Sequence, residues 1–211
     1  GTQGGGMDQA ISLGGKGGHA SRIEFDPLQM IESPIPNAWR FVVAHSLVRA
    51  EKSGAAQKAY NRRRAECEEA LSRFWARTDG GELLPAGHEP LNDRSLVRRV
   101  PVADLTATAE DVLDDPLRMR FRHVVTEAAR VYEAERALRQ EDLLTFGLLM
   151  DASHESLRSD YEVSSPELDL LVDLARNGGA AGARLTGAGF GGCIVALAGQ
   201  DRVESVLHSL G

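Results

Sequence analysis

The apolar positions of this chain keep two rhythms. In some stretches they return every three or four residues, the period of one helix face. In others they alternate with polar residues or bunch briefly, as strands do. Residues 7–13 fit a short helix that the run Gly14-Gly15-Lys16-Gly17-Gly18 breaks. Ala20 to Phe25 alternates and suits a strand. Residues 26–38 carry Pro27, Pro34 and Pro36 and read as a connection where a domain boundary can fall. Arg40 to Ala44 is a short apolar run, expected as a buried strand, and His45 to Gln57 reads as a loop. A helix is predicted from near Ala59, with Tyr60, Cys67, Ala70, Leu71 and Phe74 at helical spacing, up to Gly80-Gly81. Residues 80–101 look like a loop, and Val102 to Thr106 leads into a short helix.

The strongest amphipathic face follows. Leu117, Phe121, Val124, Val125, Ala128, Val131 and Tyr132 trace it through about residue 138. Another helix carries Leu143, Leu144, Leu148 and Leu149 towards Leu157. Ser165-Pro166-Glu167 has the form of a helix start, with a serine cap and proline in the first position. That helix is expected to stop at Asn177-Gly178-Gly179. The apolar run Cys193 to Ala198 and a final helix from Asp201 to Leu210 complete the chain. Helices and short strands mixed without regular alternation predict an α+β fold.

Composition narrows the function classes. The chain has 211 residues, enough for one or two domains, and is 42% hydrophobic and 26% charged, as ordinary globular proteins are. A net charge of −7 argues against general binding to nucleic acid or to an anionic membrane. The basic run Arg62-Arg63-Arg64 is followed by Glu66, Glu68 and Glu69 and reads as a charged helix face. Cys67 and Cys193 make no disulfide framework, which fits a reduced, cytoplasmic setting. No apolar stretch is long enough to span a membrane, and no signal-peptide pattern is present. The sequence opens on Gly1 inside what reads as a structured motif, so an upstream segment is expected.

Two glycine clusters carry the candidate chemistry. Gly4-Gly5-Gly6 leads directly into the helical run from Met7, with Asp8 in its first turn. Bare backbone at a helix N-terminus lets a substrate approach free N–H groups, and the helix dipole there favours an ionised carboxylate that can accept a proton. A flexible linker followed by an acidic cap fits the same residues. The second cluster, Gly187-Ala188-Gly189-Phe190-Gly191-Gly192, has dinucleotide-fingerprint spacing, but a strand-like run follows it where that fingerprint needs a helix. It reads either as a tight hairpin or as a loop built for close approach to a phosphate. No phosphate-loop kinase motif, paired metal-ligand motif or hydrolase elbow occurs. His154 reads as a structural or surface residue. Tyr60, Trp39 and Trp75 read as packing residues by spacing alone.

Four stretches together resemble galactokinases of the GHMP small-molecule kinase superfamily. They are Gly4 to Ser12, Tyr60-Asn61-Arg62-Arg63-Arg64-Ala65-Glu66-Cys67, Ser153 to Ser164 with Pro166-Glu167-Leu168-Asp169, and Leu185 to Cys193. The likeness runs in order through essentially the whole chain. It implies an α+β GHMP kinase fold. Residues 1–36 are then the rear part of the N-terminal catalytic, ATP-binding domain, and residues 37–211 a complete C-terminal α+β domain of ferredoxin-like type.

The activity implied is ATP-dependent phosphorylation of galactose at its C1 hydroxyl, with magnesium. By resemblance Asp8 corresponds to the catalytic base, Gly6 to backbone that meets the sugar, and Tyr60 to a sugar contact. Gly187 and Gly189 fall in the motif that supports the nucleotide phosphate loop. No metal ligand is implied within this chain. The family's catalytic arginine, its first sugar-binding motif and its serine-rich ATP loop correspond to sequence upstream of Gly1, so these 211 residues alone are expected to be inactive. A cytoplasmic monomer or weak dimer is expected. N-acetylgalactosamine kinase is the nearest rival, for Gly4-Gly5-Gly6, Ile23-Glu24-Phe25 and Leu185 to Gly189 look like that relative. Arabinose kinase and a non-catalytic galactose sensor are further alternatives.

Overall fold

The computed structural model describes residues 6–25, 27–48, 54–78 and 96–211. Gly4 and Gly5, residues 49–53 and most of the loop expected at 80–101 lie outside the described residues. The elements in order are α1 (Met7–Gly14), β1 (His19–Phe25), β2 (Leu28–Pro34), β3 (Trp39–His45), α2 (Ala55–Arg77), α3 (Val102–Val112), α4 (Leu117–Arg139) and α5 (Leu143–Ser159). Then come α6 (Pro166–Asn177), β4 (Gly182–Thr186), β5 (Cys193–Gly199), a 3-10 turn (Gln200–Arg202) and α7 (Val203–Leu210). The chain packs as two compact units. One takes Gly1–Ala50, Val131–His154 and Ser164–Gly211; the other takes Glu51–Arg130 and Glu155–Val163.

The first unit holds both sheets. The alternation at 20–25 forms β1, and β2 pairs with it antiparallel, from Phe25 opposite Leu28 to His19 opposite Pro34. This corrects the reading of residues 26–38 as a plain connection. Its prolines only delimit the strand: Pro27 precedes β2, Pro34 is its last residue and Pro36 follows it, positions where a missing N–H is tolerated. Ser21 Oγ donates to Glu32 Oε1 directly opposite, at 2.8 Å. The second sheet has the order β3-β5-β4, all antiparallel. Its central strand β5 buries Ile194, Ala196, Leu197 and Ala198 completely.

At the sheet edge, β3 is only half covered, not the fully buried strand its composition suggests. Trp39 is buried edge-to-face against Phe146 of α5 at 5.3 Å, whereas Phe41 meets that ring at 6.3 Å and Val43 is 65% exposed. The cover therefore thins along the strand. Helix α6 packs on β4 and β5, and α7 on β3 and β5. The start of α6 is as expected: Ser165 Oγ accepts from Leu168 N–H at 3.4 Å and Pro166 opens the helix. Leu168, Val172 and Ala175, on one face of α6, are buried.

Two glycines bring α5 against β4. A Cβ at Gly147 would fall within 3.0 Å of the Ala181 carbonyl, and one at Gly182 within 3.0 Å of the Gly147 carbonyl. Backbone lies on backbone, with no room for any side chain between them.

The second unit is helical. Phe74 of α2 stacks on Phe121 of α4, with ring centroids 4.2 Å apart. Ala70, Leu96, Leu105, Ala109 and Val125 close a core around them. Beside it Arg120 is buried at 1% exposure. Its Nε donates to Glu66 at 2.8 Å, and its other nitrogens donate to the Glu162 carboxylate and the Asp160 carbonyl. Arg62 and Arg63 also pair with Glu66, at 2.7 and 3.2 Å, and Arg64 with Glu68 at 3.0 Å. The basic run is thus a self-neutralised helix face. Burial by itself would push the Glu66 carboxyl up, but the hydrogen bonds from Arg120 and Arg62 outweigh it and hold the group below the usual carboxylate value.

Replacing Gly147 by alanine should destabilise the protein by roughly 1–3 kcal/mol or more, because the new carbon meets backbone that cannot turn aside. Gly17→Ala, where nothing lies within 4 Å of the added carbon, should stay within about 0.5 kcal/mol of wild type; urea denaturation of both variants checks this. The stability contributed by ionised Glu66 is complete above the ordinary carboxylate value of 4.5 and is lost as pH falls through the lowered one. The stability gap between wild type and Glu66→Gln should therefore narrow as pH falls from 5 towards 3 in parallel melts.

Candidate functional site

The site begins at the N-terminus of α1. Gly6 is the cap residue and supplies no side-chain acceptor, so the first-turn N–H groups are open on that side. Asp8 lies in that first turn, exposed. Helix α1 buries none of its residues, and Ile11 and Leu13 are 41% and 91% exposed. What fixes α1 is its C-terminal end. There a Cβ on Gly14 would come within 2.7 Å of Met30 Sδ in β2, and Gly15 N–H closes the helix on the Ile11 carbonyl at 2.8 Å.

The second glycine cluster is the turn between β4 and β5, a strand-loop-strand hairpin, a form that both readings of the cluster allow. Gly187, Gly189, Gly191 and Gly192 have φ of +82°, +80°, +122° and +86°, and Phe190 joins them at +60°. Thr186 and Cys193 are the last pair before the loop. The far side is pinned to the segment after β3: Ser46 N–H donates to the Gly192 carbonyl at 2.8 Å, and Gly192 N–H to the Val48 carbonyl at 2.9 Å. Gly187 and Ala188 are exposed at the tip, while Gly189 and Gly191 are buried. No neighbour lies within 4 Å of a Cβ placed on Gly187. Glycine is needed there for the left-handed backbone, not for space.

Gly6, Asp8, Gly187 and Gly189 all fall in the first compact unit, and Tyr60 falls in the second. Tyr60 is half-buried in the early turns of α2. Its neighbour Tyr161 stacks on His123 with ring centroids 4.5 Å apart. The Tyr161 hydroxyl is pushed up chiefly by burial, then by Cys67 and Tyr60 close to it. Both cysteines are free. Burial pushes the Cys67 thiol up to about 12, so it stays protonated and unreactive.

Sequence reasoning missed the residues that brace the loop from behind. The outward N–H of Ala183 in β4 donates to Asp151 Oδ1 of α5 at 2.9 Å, and that of Leu185 faces His154 Nδ1 at 3.4 Å. Arg176 of α6 reaches Asp151 at 3.3 Å, and Asp169 lies 3.2 Å from His154 Nε2. His154 is buried, as befits a structural residue. A backbone N–H can only donate, so Nδ1 accepts and the proton of a neutral imidazole sits on Nε2, aimed at Asp169. Burial pushes the Asp151 carboxyl up, against the opposing pull of the Ala183 N–H and Arg176. The helical spacing of Gly147, Asp151 and His154 was the one signal available.

The described residues contain no group of three or more His, Cys, Asp and Glu side chains able to hold a metal ion. Among them no helix is long and apolar enough to cross a membrane.

One unit thus combines a three-stranded antiparallel sheet backed by helices, a left-handed glycine hairpin and a glycine-capped helix with an aspartate in its first turn. The family described as GHMP kinases C terminal matches residues 134–211. A galactokinase from Actinobacillus succinogenes is 39% identical over 205 residues, covering 96% of this chain and 48% of its own length. One from Pasteurella multocida is 41% identical over 209 residues, covering 98% of this chain and 49% of its own. The crystal structure of Lactococcus lactis galactokinase complexed with galactose matches with a TM-score of 0.77 and 32% identity, over 99% of this chain and 50% of that one. Residues 134–211 carry the C-terminal domain of the GHMP kinase superfamily, and the chain is similar to galactokinases along nearly its whole length. It spans about half the length of the curated relatives it matches.

Gly187→Ala should cost about 1–2 kcal/mol through its left-handed backbone alone. Gly187→Asn should cost less, since asparagine tolerates that region. Thermal melts of the two variants side by side give the comparison.

Proposed function

We propose that the protein carrying this chain transfers the γ-phosphoryl group of ATP to the C1 hydroxyl of galactose. The observation that carries the reading is the likeness to galactokinases over nearly the whole chain, at about 40% identity. In this reading residues 1–36 close the catalytic, ATP-binding domain and residues 37–211 form the C-terminal domain. Asp8 takes the sugar hydroxyl proton. Its place in the first turn of α1, beside N–H groups that no side chain caps, supports that role. General-base assistance of this kind is worth about 10²–10⁴-fold. Gly6 offers backbone without a side chain where the sugar approaches, and Tyr60 contributes a sugar contact from α2.

Gly187 gives the nucleotide phosphates bare backbone at the exposed loop tip, and the buried Gly189 sustains the left-handed turn behind it. Positioning and charge stabilisation supply the rest of the rate, since phosphoryl transfer asks little covalent work of a protein. ATP brings the magnesium this chemistry uses, and no magnesium ligand is assigned among the described residues. A cytoplasmic monomer or weak dimer goes with this reading.

Coupled ADP release from the full-length protein, with ATP, magnesium and either galactose or N-acetylgalactosamine, tests the proposal. Galactose should be preferred. A preference for N-acetylgalactosamine would transfer the assignment to that kinase, and no turnover with either would favour a non-catalytic sugar sensor. Asp8→Asn should lower kcat by about 10²-fold or more with a smaller change in sugar affinity. A near-normal kcat in that variant would remove the general-base role.

A further inference from the structure

Among the described residues β4 is an edge strand, so its outward N–H groups need partners that no strand there supplies. Helix α5 supplies them. Gly147 lets the helix axis approach Gly182, and from that approach short side chains can reach the strand. Asp151 and His154, three residues apart on α5, then meet Ala183 and Leu185, two residues apart on β4. Both acceptors are themselves held from α6, Asp151 by Arg176 and His154 by Asp169. Asp169 in turn accepts from Ser164 Oγ at 2.5 Å. One residue after Leu185 the strand ends at Thr186, and the glycine loop begins.

We infer that Asp151 and His154 are positioning residues that take the place of a missing edge strand and fix where the 187–192 loop leaves β4. The loop's far end is tied to Ser46 and Val48, so the Asp151 and His154 contacts hold the near end. This rests on the proposal that the loop meets the nucleotide phosphates. A loop with a wandering near end would bind ATP more weakly without disturbing the sugar side, because Asp8 and Tyr60 lie on other elements.

The test has two arms, both in the full-length protein. The first is amide hydrogen exchange without ligand, in wild type, Asp151→Ala and Asp151→Asn. Asp151→Ala should speed exchange at residues 183–192 about tenfold or more while leaving α2 unchanged. Asp151→Asn keeps an acceptor oxygen for Ala183 N–H and should stay near wild type. Faster exchange across the whole chain, or none at 183–192, overturns the inference. Should Asp151→Ala fail to fold, His154→Asn and His154→Gln take its place. Asparagine keeps an acceptor close to the main chain for Leu185, whereas glutamine keeps only the reach to Asp169, so glutamine alone should loosen the loop. Equal exchange in those two overturns the inference as well.

The second arm is kinetic. Asp151→Ala, or His154→Gln in its place, should raise KM for ATP at least threefold with KM for the sugar unchanged, and Asp151→Asn should restore it. Equal rises in both KM values would mark a merely structural role. A wild-type protein that turns over no sugar sinks the kinase reading, and the exchange arm then decides the inference by itself.

Discussion

The contact between Gly147 and Gly182 is the constraint on which the first unit's site depends. Two backbones touch there without side chains between them, and the separation of α5 from β4 follows. Only at that separation can an aspartate and a histidine, both short, reach an edge strand's N–H groups. The same closeness lets Phe146 cover Trp39, and so sets how far along β3 the apolar cover extends. Glycine at these positions is a matter of distance. In the 187–192 loop it is a matter of backbone sign.

The second unit answers burial differently. Arg120 is charged and almost fully enclosed, which is costly unless every donor is met. Glu66, Glu162 and the Asp160 carbonyl give each of its three nitrogens a partner. These partners come from α2 and from the turn after α5, so a single guanidinium ties together segments far apart in sequence. Losing Glu66 while keeping the arginine would leave that buried charge with only the more exposed Glu162 and one carbonyl as partners. The run Arg62-Arg63-Arg64, basic when read alone, is one margin of this arrangement.

Much of the fold was legible because local physics decided it. The helix faces of α2 and α4, the Ser165 cap with Pro166, and the alternation of β1 all follow from rules acting within a few residues. β2 escaped notice because its prolines outweighed its pattern, and only pairing with β1 reveals that they stand at its margins. β3 looked buried because apolar composition does not say how far a covering helix extends. Of the candidate site residues, Asp8, Gly6 and the glycine hairpin were visible as backbone devices, and Tyr60 was proposed through resemblance alone. The brace formed by Asp151 and His154 was not visible. It depends on a helix-to-strand distance set by two glycines 35 positions apart, and no window along a sequence measures that.

The glycine hairpin also limits what this gene can become. Five residues in a row of six hold positive φ. One base change in a glycine codon leads to alanine, valine, serine, cysteine, arginine, tryptophan, glutamate or aspartate. Of these only aspartate sits at all easily in the left-handed region, and it would bring negative charge to the loop. Asparagine, the better tolerated neutral substitute, lies two base changes away. Almost any change in the first two bases of these glycine codons thus drives the loop out of shape, and few neighbouring sequences keep its form.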